Sequence, residues 1–374
     1  MKFTVSSTAL FSRIQAISRV INSKNTFPIL ECFLIELKEG SLFITASDNE
    51  TTLSTSVEVN EADGEGHIAI SSKILLDALK EISEQPLVFN INEATYEVTV
   101  HYMNGRYNLV GQNADEYPEA QKLGADAVKL DVDIAVLLAS INCTAFAIAE
   151  DEIHPVMNGI YVDITTEDIT LAATDGHKLV RCRSLAAKGE TKAAFILPKK
   201  PVNLLRNLLQ KEEGDVQICI DSRNAMFISE NYGMVCRLIE GKYPNYNSVI
   251  PKDNPNKTVV DRTALLSALR RVSVFSSPAT CLVKLNLDSD LIKISAQDVD
   301  FSTSAEETVQ CNYQGTPMSI GFRANFFIDI LSSISSEAVV IELADPSRAG
   351  VILPEPQAEN EDLLMLLMPM MLND

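Results

Sequence analysis

Four consecutive residues, Asp175-Gly176-His177-Lys178 in the stretch ATDGHKL, bring together a carboxylate, a turn-forming residue, an imidazole and an ammonium group. Such a set can perform acid–base chemistry if a nucleophile or metal stands beside the histidine and the carboxylate orients it. The rest of the chain offers little to complete that site. Only four histidines are present, His67, His101, His154 and His177, and none pair at the HxH or HxxxH spacing that holds zinc. Neither a Gly-rich phosphate loop nor a GxSxG elbow occurs. The simpler reading is a turn at Asp175-Gly176 beside a surface histidine used for binding, and it outweighs catalysis.

The seven cysteines are scattered and form no CxxC pair, which fits reduced thiols in a cytosolic protein better than a disulfide framework. The N-terminal MKFTVSSTALF lacks the apolar region and small-residue cleavage site of a signal peptide. The longest apolar run, Leu363 to Leu372, is about half a membrane span and contains Pro369. A cytoplasmic protein is expected. Its 374 residues, 46% of them hydrophobic, can build two or three cores. The formal net charge of −20 disfavours a surface that grips nucleic acid everywhere, because phosphate binding needs clustered Lys and Arg. It still permits a protein whose basic residues all face one way.

The elements that must hold these residues repeat. Six amphipathic segments predict helices: SSTALFSRIQAISRVI, SSKILLDALKEI, DVDIAVLLASINCTAFAI, PKKPVNLLRNLLQ, DRTALLSALRRVSVF and RANFFIDILSSI. Aligned on Leu10, Ile74, Leu137, Val202, Leu265 and Phe326, they recur at steps of 64, 63, 65, 63 and 61 residues. Between them the pattern alternates as in antiparallel hairpins. A period twice as long also shows. Asp48, Asp175 and Asp298 end similar strands 127 and 123 residues apart, and Tyr117-Pro118 and Tyr243-Pro244 fall where linkers belong. The expected fold is therefore α+β, with three similar domains, 1–121, 122–250 and 251–374, each a duplicated unit of one helix plus antiparallel strands. The aspartate of the opening stretch is a repeated turn residue, whereas His177 and Lys178 face Glu50 and Thr51 or Asp300 and Phe301 at the repeated positions.

Basic residues lie on or beside several helices: Arg13, Arg19 and Lys24 near the first, Lys73 and Lys80 on the second, and Lys199, Lys200 and Arg206 on the fourth. The fifth carries Arg262, Arg270 and Arg271, and Arg323 opens the sixth, whereas the third has Asp131 and Asp133 with no basic residue. Side by side, such helices would present one basic surface. Helices pack roughly 10 Å apart, so about a dozen would line a ring wide enough for a duplex, and a two-fold dimer would supply them. The C-terminal LLMLLMPMMLND reads as a last buried strand followed by a Met-rich exposed lip that suits varied partners.

MKFTV, FPIL, ATDGHKL, YPNY and the terminal MPM, together with the three-fold organisation, resemble the bacterial DNA polymerase sliding clamp family, the beta subunit of DNA polymerase III, over essentially the whole chain. The resemblance implies the DNA clamp fold: a head-to-tail homodimeric ring around duplex DNA, helices lining the hole and sheets outside. Such a protein acts as a processivity factor in DNA replication, without catalysis or cofactor. A clamp loader opens it, and it tethers the replicative polymerase and other clamp-binding-motif proteins. The family's partner-peptide cleft carries over to Met157, Thr174, Gly176, His177, Lys178 and Leu179, then Pro244, Val249, Phe326 and Ser347, and finally Met368, Pro369 and Met370. The positions matching its DNA contacts are Lys24, Lys73, Lys199 and Lys200, with Arg206 on the same helix as the last two. The dimer contact would join Arg106, Tyr107 and Leu109 to Phe275, Glu306 and Glu307 of the second copy. The chain departs from the family's pattern at Lys178, Ser248 and Arg323, and its loop AEDEIHPV is acidic. The rival readings are an acidic interaction scaffold that ignores DNA, and a hydrolase built on Asp175 and His177.

Overall fold

The computed structural model describes residues 1–22 and 27–372, so Lys24 lies outside the described residues. The six helices are α1 (Ser7–Ile17), α2 (Ser72–Lys80), α3 (Ile134–Thr144), α4 (Lys199–Leu209), α5 (Arg262–Ser273) and α6 (Ala324–Ser333). Each starts at the residue after a strand ends, at Ser6, Ser71, Asp133, Pro198, Asp261 and Arg323. The strand-to-helix switch is the repeated unit. In two cases the cap is visible in the sequence: Ser6 Oγ accepts the Ala9 N–H at 3.1 Å, and Asp261 Oδ1 accepts that of Ala264 at 2.7 Å.

Counting from those strand ends corrects the helix alignment by one residue in two places. Leu10, Leu137, Val202 and Leu265 are buried, but Ile74 is 54% exposed and Phe326 is only half-buried. Their buried equivalents are Leu75 and Phe327, which are 2% and 0% exposed. Adjacent apolar residues, Ile74-Leu75 and Phe326-Phe327, made the two registers indistinguishable by periodicity. The shift leaves Phe326 outside the core.

Two compact units group the residues: Met1–Ala135 with Asn203–Leu238, and Val136–Val202 with Ile239–Asp374. The first contains a five-stranded and an eight-stranded antiparallel sheet, with α1 packed on α2. In the larger sheet Thr51–Glu58 pairs with Tyr232–Arg237, joining segments far apart in sequence. The second unit holds one twelve-stranded sheet, with α5 packed on α6. There the corresponding seam pairs Lys178–Ser184 with Glu361–Leu367, so that Leu179 lies opposite Leu366 and Lys178 opposite Leu367. The tyrosines of the two Tyr-Pro linkers act as anchors, Tyr117 being 7% and Tyr243 6% exposed.

Candidate functional site

Asp175 forms the turn between the strands Ile169–Thr174 and Lys178–Ser184. Its Oδ1 accepts the backbone N–H groups of His177 and Lys178, each at 2.9 Å. Gly176 has φ +85° with open space where a side chain would point, so glycine serves the backbone angle rather than a close approach. Asp48 makes the same turn with Glu50 and Thr51, at 3.0 and 2.7 Å, and Asp298 with Asp300 and Phe301, at 3.0 and 3.3 Å. The alternate half-units carry a turn of this kind at Asn92, Asp221 and Asp345. The shared aspartate is thus a folding device, and only the middle copy adds a histidine and a lysine to it.

Those two side chains point to binding. Lys178 is 6% exposed, and its Nζ lies 2.6 Å from Asp175 Oδ2 and 4.1 Å from the centre of the Phe326 ring. The exposed His177 ring stacks against Phe326 at 5.9 Å, while Asp175 receives the histidine's backbone N–H and not its ring. Asp329 on α6 has its carboxyl pushed above the usual range, chiefly by desolvation; Lys178 opposes that shift and Asp175 adds to it.

Beside this cluster lies a cleft of ≈ 310 Å³. Nine of the thirteen residues carried over from the family line it: Met157, Thr174, Gly176, His177, Lys178, Leu179, Pro244, Val249 and Met368. Asn245, Tyr246 and Leu366 complete the lining. Alternation along the last strand was the missed signal for Leu366, which shares a face with Leu364, and Tyr246 stood in the YPNY motif already quoted. Phe326 reaches the site through its contacts with His177 and Lys178. Ser347 turns its N–H and hydroxyl onto Asp345, at 2.8 and 2.6 Å, outside the lining. Pro369 and Met370 continue the chain beyond Met368. This lip is tethered, since Met368 donates its N–H to His177 O at 2.9 Å and Met370 donates to Gly321 O at 2.8 Å.

The cleft floor is apolar and firmly backed. Leu179, Leu366 and Tyr246 belong to a buried cluster with Val351 and Tyr243, and Tyr161 stacks on Tyr243 at 5.1 Å. Thr174 already spends its hydroxyl on Lys178 O at 2.8 Å. A rigid apolar slot with a few polar groups at its rim suits the side chains of a short peptide. Among the described residues no cluster of three or more His, Cys, Asp and Glu could hold a metal ion, and no helix is long and apolar enough to cross a membrane.

The basic residues divide by engagement. Lys73 is exposed on α2. Lys199 and Arg206 lie two turns apart on one face of α4, and Lys199 is ion-paired to Glu150 of the acidic loop. Lys200 is half-buried at the same helix start. Several other helix arginines serve their own fold. Arg13 bonds Asn231, Arg262 donates to the carbonyls of Ser336 and Leu331 at 2.7 and 3.2 Å, and Arg271 pairs with Glu307.

Arg106, Tyr107 and Leu109 lie on Gly105–Val110, an edge strand of the five-stranded sheet. Glu306 and Glu307 lie on Thr303–Gln314, whose residues 303–310 pair on one side only among the described residues. Glu306 is bound to Lys293 at 2.6 Å and Glu307 to Arg271, while Phe275 is 41% exposed.

Comparison with known proteins gives three consecutive matches to family models of the DNA polymerase III beta subunit. The N-terminal domain model matches residues 1–121, the central domain model 131–245 and the C-terminal domain model 247–371. The beta sliding clamp of Pseudomonas aeruginosa is 27% identical over 374 residues, covering all of both chains. A crystal structure of that organism's DNA polymerase III beta-subunit clamp, bound to griselimycin, covers all of both chains with a TM-score of 0.94 at 26% identity. The corresponding clamp of Bartonella birtlesii, also bound to griselimycin, matches at 27% identity and a TM-score of 0.91, again over all of both chains.

Proposed function

This chain belongs to the DNA polymerase III beta-subunit family and has its three-domain clamp fold; from that premise we propose that it is a cytoplasmic sliding clamp that closes head-to-tail with a second copy around duplex DNA. In this reading its domains are 1–121, 122–250 and 251–374, helices line the ring and sheets form its outside. It holds the replicative polymerase on the template by topology and catalyses nothing. The observation that carries the proposal is the run of three family domains, in order, over nearly the whole chain.

The site chemistry supports it. Asp175 is committed to its turn and to Lys178, and His177 to a ring stack, which leaves an apolar slot fit for short peptides of the polymerase, the loader and other partners. The one-sided strands at Gly105–Val110 and residues 303–310 are edges that a second copy can extend by β-pairing. Lys24, Lys73, Lys199, Lys200 and Arg206 would make loose phosphate contacts, and the overall charge of −20 would repel DNA from the outer surface.

The test is topological. The protein, loaded onto nicked circular duplex by a clamp loader, should stay with the circle through gel filtration and leave once a restriction enzyme linearises it. Equal retention on circular and linear DNA would refute encirclement. A mass near 41.0 kDa at every concentration in sedimentation would refute the dimer.

A further inference from the structure

Two cations, Lys178 and Arg323, lie against the Phe326 ring beside the cleft, and they differ in how they are engaged. Lys178 is spent: its ammonium is buried, 2.6 Å from Asp175 and over the Phe326 ring. Arg323 is different. Its guanidinium carbon lies 5.2 Å from the centre of the same ring, and among the described residues it has no carboxylate partner. Other arginines of this unit are satisfied, Arg181 by Asp362, Arg183 by Asp168, Arg271 by Glu307 and Arg262 by backbone carbonyls. An aromatic face fixes a guanidinium in place while leaving its N–H edge free, which favours bidentate capture of a carboxylate.

Phe326 connects this arginine to the slot. Its ring touches His177 and Lys178, both of which line the cleft, and the tethered lip runs from His177 at Met368 to Gly321 at Met370, two residues before Arg323. An extended peptide that leaves the apolar slot past His177 therefore meets Phe326 and then Arg323. We infer that the cleft selects partner segments carrying a carboxylate immediately beyond their apolar anchors, and that Arg323 is the residue that reads it. The inference rests on the reading of this cleft as a peptide site. The carboxylate can be the end of the partner chain or an acidic side chain, and the two share one recognition chemistry.

The probe is a fluorescein-labelled pentapeptide ending in leucine–phenylalanine, apolar side chains that suit the slot, titrated with the full-length protein and followed by anisotropy. It is made with a free C-terminal carboxylate, as a C-terminal amide, and as an amide extended by one glutamate. At about 50 mM salt a carboxylate should tighten binding roughly five-fold over the plain amide, an advantage that shrinks near 0.5 M salt. Arg323→Asn should abolish the ratio, and Arg323→Lys should retain only part of it, since lysine keeps the charge without the fork. An unchanged melting temperature in both variants would exclude misfolding as the cause. Whichever carboxylated peptide shows the advantage identifies the source. Equal binding of all three peptides, or a ratio that survives Arg323→Asn, would overturn the inference while leaving the cleft intact. If none of the peptides binds the native protein, the cleft reading falls and this inference falls with it.

Discussion

Replacing Asp175 with asparagine should destabilise the second unit more than its surface location suggests. The side-chain amide can still accept the N–H groups of His177 and Lys178, so the turn survives and only the charge is removed. What remains is the Lys178 ammonium, with 7% of its side chain exposed and its 2.6 Å partner gone. Breaking a buried pair from one side costs about 3–5 kcal/mol. Asp175 itself is 16% exposed and the Phe326 face stays under the ammonium, so the low end, about 3 kcal/mol, is expected here. Lys178→Met in the same protein should restore most of that loss, because methionine fills the same channel without a charge. The assay is urea unfolding followed by tyrosine fluorescence, there being no tryptophan. The exposed pair Lys199–Glu150 serves as the control, and breaking it should leave the unfolding midpoint essentially unchanged. A loss under about 1 kcal/mol for Asp175→Asn, with no rescue by Lys178→Met, would refute the account of a buried charge held by one partner.

Three further outcomes are expected. If the proposed dimer forms through this edge strand, Tyr107→Ala or Leu109→Ala should weaken it by roughly ten- to a hundred-fold in sedimentation equilibrium, with little effect on monomer melting. Desolvation raises the carboxyl of Glu361 above its ordinary 4.5, so its favourable contribution is complete below that value and is lost as pH rises through the folded-state value; Glu361→Gln should therefore raise the melting temperature at pH 7 and leave it unchanged near pH 4. Burial pushes the thiols of Cys32 and Cys236 up to about 11 and about 12, so iodoacetamide at pH 8 should spare both in the folded protein and modify them in urea, as read by peptide mass mapping.

The fold was legible because it is repeated. A single amphipathic helix or a lone turn aspartate carries little information, but six helices at nearly constant spacing and three aspartates 127 and 123 residues apart constrain each other. What the repeat could not resolve was register where two large apolar residues adjoin, at Ile74-Leu75 and Phe326-Phe327, since either can face the core on a short helix. Charge was the other illegible quantity. Arg262 and Lys73 look equivalent in sequence, yet one caps backbone carbonyls and the other stands exposed. Pairing depends on what tertiary packing brings within a few ångströms, and no local pattern reports it.

The three copies of the aspartate turn differ in what is built on them. At Asp48 and Asp298 the residue three positions on is Thr51 or Phe301, and neither carries a cation. At Asp175 that position is Lys178, and the spare oxygen takes its ammonium. The pair fixes the lysine against Phe326, a ring freed for this contact because its neighbour Phe327 fills the core position. His177 stacks on the same ring, and Met368 closes onto His177. Lys178 and His177 share the Phe326 ring and Asp175 holds Lys178, so substitutions along these four residues should prove non-additive in peptide binding. Residues of the Glu50 and Asp300 turns, built on the same backbone, should be silent in the same assay.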